Sequence, residues 1–207
     1  MASDVKYYYV PINEIRCLLD DARGVVGHIT QCTYNGLFDK PAKGNIYYQL
    51  TQNQLTILKM KAENKELGDL LAFLGFQALK SIVGRKRGEF VQTSNWLMVA
   101  RMAGYRTWQE LKAATNEEMG VTIWKLMDMQ PRTFQINCGK IRELVADRYK
   151  IVSFQPSPLN RGFMVKIEAY MDDPNTAGGD WIASISKRQD EEHPRKIAPA
   201  SEFVERL

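Results

Sequence analysis

Between Asp69 and Val83 the chain carries Leu70, Leu71, Phe73, Leu74, Phe76, Leu79, Ile82 and Val83, apolar on almost every side of a helix. A helix that lies on a surface keeps a polar stripe, and one without such a stripe must be enclosed. The stretch therefore predicts a buried central helix, closed by Gly84, around which other elements pack. With 207 residues and 44% hydrophobic side chains, there is enough apolar surface to enclose it within one large domain or two small ones. The three cysteines, Cys17, Cys32 and Cys138, are scattered and form no C-x-x-C pair, which argues against a disulfide framework and for a reducing compartment. The N-terminal MASDVKYYYVP has no apolar run of signal-peptide length, and no stretch reaches about 18 uninterrupted apolar residues. A soluble, cytoplasmic chain is the expectation.

Short strands and capped helices make up the rest of the pattern. VKYYYV (5–10), stopped by Pro11, and NIYYQL (45–50) read as strands. Between them Asn13 caps a helix that ends near Gly24, and Asn35-Gly36 and Pro41 to Gly44 mark turns. Thr51 caps a helix carrying Leu55, Leu58 and Ala62, interrupted at Gly68. After Gly84, RKRGEFVQ leads into a helix beginning at Thr93 or Ser94. TSNWLMVARMAG and TWQELKAA then read as two helices joined at Gly104-Tyr105-Arg106, with Thr107 as the second cap. A further helix spans Val121 to Met129, with Trp124 and Met127 inward and Pro131 breaking it. Gly139 to Tyr149 is amphipathic, with Ile141, Leu144 and Val145 at helical spacing. KIVSFQ, the turn-rich PSPLNRG and FMVKIEAYM complete a β-hairpin signature. Beyond Met171, Asp172, Asp173, Pro174, Gly178 and Gly179 form a linker into a charged tail. The fold class is α+β and mostly helical. Three regions follow: 1–83, either separate or part of a common core, 84–171, and the linker and mobile tail 172–207.

The net charge of +4 is modest, but it is unevenly spread. Residues 80–112 (Lys80, Arg85, Lys86, Arg87, Arg101, Arg106 and Lys112 against Glu89 and Glu110) carry +5. Residues 132–166 (Arg132, Lys140, Arg142, Arg148, Lys150, Arg161 and Lys166 against Glu143 and Asp147) also carry +5, which leaves −6 on the remaining chain. If both segments share a face, that face offers phosphates a docking surface; the alternative is a mixed, solvated surface.

Two segments add form to this charge. Ala100 and Gly104, followed by a newly capped helix, resemble the helix-turn-helix, although an ordinary helical hairpin with a glycine corner carries the same letters. The resemblance implies a groove-reading second helix with Arg106, Thr107, Gln109 and Lys112 as contacts, and Glu110 departs from it by standing where an aliphatic residue is usual. Residues 139–168 resemble the winged helix, in which a basic amphipathic helix is followed at once by a two-stranded hairpin. That resemblance implies a helix in the major groove and a wing, tipped here by Asn160, Arg161 and Gly162, on the backbone or minor groove. Lys140, Arg142, Arg148, Lys150 and Arg161 would be its positioning cations. The function so implied is binding of nucleic acid, double-stranded DNA above all, by a regulator or replication accessory of phage or plasmid type. A symmetric dimer reading two half-sites is compatible with it.

Other classes have less to stand on. His28 and His193 are the only histidines, and no P-loop, G-x-G-x-x-G, H-E-x-x-H or nucleophile elbow occurs, so no cofactor or metal site is implied and the chain does not read as an enzyme. Metal-dependent phosphodiester cleavage would have to assemble Asp20, Asp21, Glu63 and Lys65. A Glu63-Asn64-Lys65 triplet resembles the E-x-K element of one nuclease superfamily, but it falls in a helical pattern. The main alternative is a protein-interaction module, an inhibitor or adaptor using the same helix and hairpin; exposed Trp108, Met119 or Trp124 would favour it. Tyr7, Tyr8, Tyr9, Tyr47 and Tyr48 suit either base stacking or cross-strand packing.

Overall fold

A computed structural model describes residues 7–11, 20, 47–84, 86, 88–149, 152–159 and 161–167. Strands β1 (Tyr7–Pro11) and β2 (Tyr47–Thr51) pair antiparallel, with Tyr8 opposite Leu50 and Val10 opposite Tyr48. β2 runs directly into α1 (Gln52–Glu63), and α2 (Leu67–Val83) follows after a short turn. The break between these helices falls at Lys65, whose φ of 60° is left-handed, and not at Gly68, which is buried inside α2. A glycine lowers helix propensity by about 1 kcal/mol without stopping the helix, whereas a left-handed residue redirects the chain. α2 is enclosed as its composition demands, with Leu70, Leu71, Phe73, Leu74, Phe76 and Leu79 at 1% exposure or less. Gly84, at φ 55°, closes it by donating its N–H to the Lys80 carbonyl.

The following elements are β3 (Val91–Thr93), α3 (Asn95–Met102), α4 (Trp108–Ala113), α5 (Asn116–Met119), α6 (Val121–Met127), α7 (Pro131–Arg148), β4 (Val152–Pro156) and β5 (Phe163–Ile167). Local chemistry sets their starts. Ser94, one of the two starts that the sequence leaves open, accepts the Leu97 N–H at 3.2 Å, and Thr107, the cap that the sequence predicts, accepts the Glu110 N–H at 3.2 Å. Thr115 and Glu118 cap α5 reciprocally. α6 is capped from afar: Asp20 accepts the N–H groups of Val121 and Thr122 and the Thr122 hydroxyl, at 3.1, 3.0 and 2.8 Å.

Three expectations are corrected. β3 forms where the sequence predicts only a lead-in to α3. In α6 the buried residues are Thr122, Ile123 and Leu126, with Trp124 and Met127 only half-buried. Pro131 opens α7 and does not merely end the helix before it, so α7 begins a full two turns ahead of Gly139. Proline fits the first helical turn because the N–H it lacks has no acceptor there in any case.

β5 is the centre of a three-stranded antiparallel sheet in the order β3-β5-β4. Val91 faces Val165, which faces Phe154 across the other edge. Phe163, Val165 and Ile167 point into the core, and Met164 and Lys166 lie on the outer side. The sheet and the helices α3 and α7 close around α2. At Gly75 the approach of α7 is so close that a Cβ would meet Val145 Cγ2 at 2.9 Å and Ile141 Cγ2 at 3.1 Å. Phe76 stacks on Tyr149 at 4.3 Å, and Leu50, Ile57 and Leu58 join the same buried cluster. The described residues thus form seven helices and five strands, a mostly helical α+β fold. No described helix is long and apolar enough to cross a membrane. Outside the described residues lie the predicted helix after Asn13 apart from Asp20, the turns at 35–44, Arg85, Arg87, Lys150, Asn160 and the linker and tail.

Candidate nucleic-acid interface

The first turn of α3 is where three of the candidate elements are tied together. Asn95, 7% exposed, donates from Nδ2 to Gln135 Oε1 of α7 at 2.5 Å and accepts from Arg142 Nη1. Trp96 stacks on Phe134 of α7 at 3.8 Å and meets Trp108 of α4 at 4.3 Å. Gly162, at φ 81°, lies so close to Thr93 and Ser94 that a Cβ would overlap the Thr93 carbonyl oxygen. Residues 93–96 therefore hold together the beginning of α4, the first half of α7 and the tip of the β4–β5 hairpin.

The cations on these elements divide into two sets. The Arg142 guanidinium, besides its bond to Asn95, lies 4.4 Å above the Phe163 ring, and burial lowers its pKa. It clamps the hairpin to the helix. Arg148 pairs with Asp69 of α2 and, at 3.4 Å, with Asp147. Asp69 also takes Lys61 at 2.5 Å, and Lys61 takes Glu66 at 2.9 Å. Burial pushes the Asp69 carboxyl up, but Arg148 and Lys61 outweigh it and hold the group below its usual range. Arg142 and Arg148 are thus engaged inside the fold.

The second set faces outward. On α7 the buried residues Phe134, Cys138, Ile141 and Val145 define the inner side, and Arg132, Ile136 and Glu143 lie opposite, with Lys140 half-buried between. At the hairpin tip Arg161 is exposed, and its carbonyl accepts from Gln92 Nε2 at 3.2 Å. Gln109 and Lys112 on α4 are exposed, as are the cap Thr107 and Arg106 just ahead of it. Arg106 also sits beside Arg101, whose pKa is lowered by burial and then by that second guanidinium, with Glu110 acting the other way. At six residues, α4 is short for a groove reader, and the eighteen-residue α7 is the longer exposed rod.

The sequence reading missed Arg132, Thr133 and Ile136 as members of the outward face, because it began the helix at Gly139. Pro131 was the signal that could have found them. Asp20 and Glu63-Asn64-Lys65 are not brought together: Asp20 caps α6, and Lys65 lies in the turn after α1. Among the described residues no cluster of His, Cys, Asp and Glu could hold a metal ion. Met119 is buried, and Trp108 and Trp124 are half-buried. No family model matches the chain, and no curated protein or solved structure is significantly similar to it.

Proposed function

We propose that this protein binds double-stranded DNA, setting the first half of α7 in the major groove and the β4–β5 tip along the neighbouring backbone and minor groove, as a regulator or replication accessory. The observation that carries the reading is that exposed Arg132 and Arg161 stand on two separate elements, α7 and the β4–β5 hairpin, each tied to residues 93–96, the one through Gln135 and the other through Gly162. The element order supports it: α2, β3, α3, then α7 and a hairpin whose second strand is central in the sheet. A winged helix has this order, with its last helix and wing in these roles. The α4–α6 segment departs from that plan by lengthening the connection ahead of α7. Of the apolar side chains whose exposure would favour an interaction module, Met119 is buried and Trp108 and Trp124 are only half-buried, which weighs against a partner anchored on them.

Phosphate contacts supply most of the affinity in such a complex, so binding weakens steeply with salt. The test is fluorescence anisotropy of a labelled duplex at low and moderate salt, with the unsubstituted protein and an Arg132→Ala/Arg161→Ala variant. Salt-sensitive binding that falls in the variant is expected. Absence of binding by the unsubstituted protein at any salt overturns the proposal.

A further inference from the structure

Leu159, at the hairpin tip, is 68% exposed, more than any other large apolar side chain among the described residues. The backbone leading to it is held in place. Pro156 and Pro158 fix the backbone on either side of Ser157, which is 3% exposed and accepts the Leu159 N–H on its hydroxyl at 3.3 Å. On the returning side Gln92 holds the Arg161 carbonyl, and Gly162 is packed against Thr93 and Ser94. Residues on both sides of the tip are thus anchored, with an exposed aliphatic side chain two positions before an exposed arginine.

Of the remaining exposed apolar side chains, Met60 lies on α1 and Phe90 lies 6.0 Å from the Lys166 ammonium. Ile136, 51% exposed, is on the outward face of α7, where an aliphatic group can meet a thymine methyl. Leu159 has no such role in a major groove. An exposed apolar side chain close in sequence to a cation, on a hairpin anchored at both sides, is the device by which proteins pry apart a base step from the minor groove.

We infer that Leu159 is a wedge that enters a base-pair step from the minor groove of duplex DNA, with Arg161 beside it in the groove, and that the protein bends its site. This rests on the DNA-binding reading above. Unstacking is cheapest at TA and CA/TG steps, so the step under the tip is expected to be one of these. Energy transfer between dyes at the two ends of a duplex measures the bend. The unsubstituted protein is expected to bend the duplex by roughly 20–90°. Leu159→Ser, a surface change that leaves the thermal midpoint in place, is expected to bind with the same salt dependence and leave the duplex straight. Arg161→Ala is expected to weaken binding about tenfold and, at saturation, keep the bend. An equal bend with Leu159→Ser, or straight DNA in the unsubstituted complex, overturns the wedge and leaves DNA binding standing. Absence of any complex overturns both.

Discussion

Arg142 and Arg148 on α7 direct their charge to Asn95, the Phe163 ring and Asp69, whereas Arg132, at the start of the same helix, stands in water with Ile136. The difference is one of angle. Arg142 and Arg148 flank the stripe of Phe134, Cys138, Ile141 and Val145 that packs on α2, so each lies within reach of a neighbouring element; Arg132 lies opposite that stripe. The outward face also changes sign along its length, because Glu143 and Asp147 follow Lys140. A polyanion is therefore offered the first half of α7 and repelled by the second. Summed charge over residues 132–166 overstates what reaches the surface, since part of it holds the fold together.

If the inner set is structural, breaking it has the largest effect. Asp69→Ala leaves Arg148 and Lys61 without their shared anion and is expected to destabilise the fold by about 3 kcal/mol, measured by urea unfolding. Next is Gly162→Ala, which combines a left-handed backbone with overlap on the Thr93 carbonyl and is expected to cost about 2 kcal/mol and undock the hairpin. Loss of β3 amide protection in hydrogen exchange would report the undocking, and an unchanged hairpin would break the account of residues 93–96 as its anchor.

The same inner set gives stability a pH window. The Asp69 carboxyl is held below its usual range, so its contribution is complete above the unfolded value of about 3.9 and is lost as pH falls through the folded one. Lys61 is raised despite burial, by Asp69 and Glu66, and burial raises Tyr149 well above its ordinary value. Both contribute below their unfolded values, about 10, and lose that contribution as pH rises. Thermal midpoints are expected to be level across neutral pH and to fall at both ends, with Asp69→Asn removing much of the acid fall. A full acid fall in that variant would assign it to other carboxylates.

For the outer set the contrast is reversed. Arg132→Ala and Arg161→Ala are each expected to change stability by no more than about 0.5 kcal/mol while reducing the salt dependence of DNA binding by about one phosphate contact. A stability loss as large as that of Asp69→Ala would erase the distinction between the two sets. The smallest expected effect concerns Cys138, whose thiol burial pushes to about 12. It should remain unlabelled by thiol reagents in the native state and react once Asp69→Ala opens the α2–α7 contact.

Much of this architecture was legible before any coordinates. The enclosed α2, the caps at Ser94 and Thr107, the corner at Gly104 and the hairpin of β4 and β5 all follow from short-range rules: side-chain periodicity, local capping and turn chemistry. β3 was not legible, because three residues carry too little pattern and exist as a strand only through pairing with β5. The start of α7 was misread for a related reason. Gly139 and Pro131 are each ambiguous locally, and burial of Phe134 against Trp96 extends the helix back past the glycine.

What the sequence by itself determined is which segments are helical, which helix is central and which residues carry positive charge. Only the tertiary structure decided which charges are available. Asn95, Phe163 and Asp69 are distant in sequence from the arginines they engage, and no local pattern brings them together. A side chain's chemistry is written in one letter, whereas its partners depend on how helices cross and how a hairpin docks. Those depend on close approaches such as Gly75 against Val145 and Gly162 against Thr93, which packing alone creates.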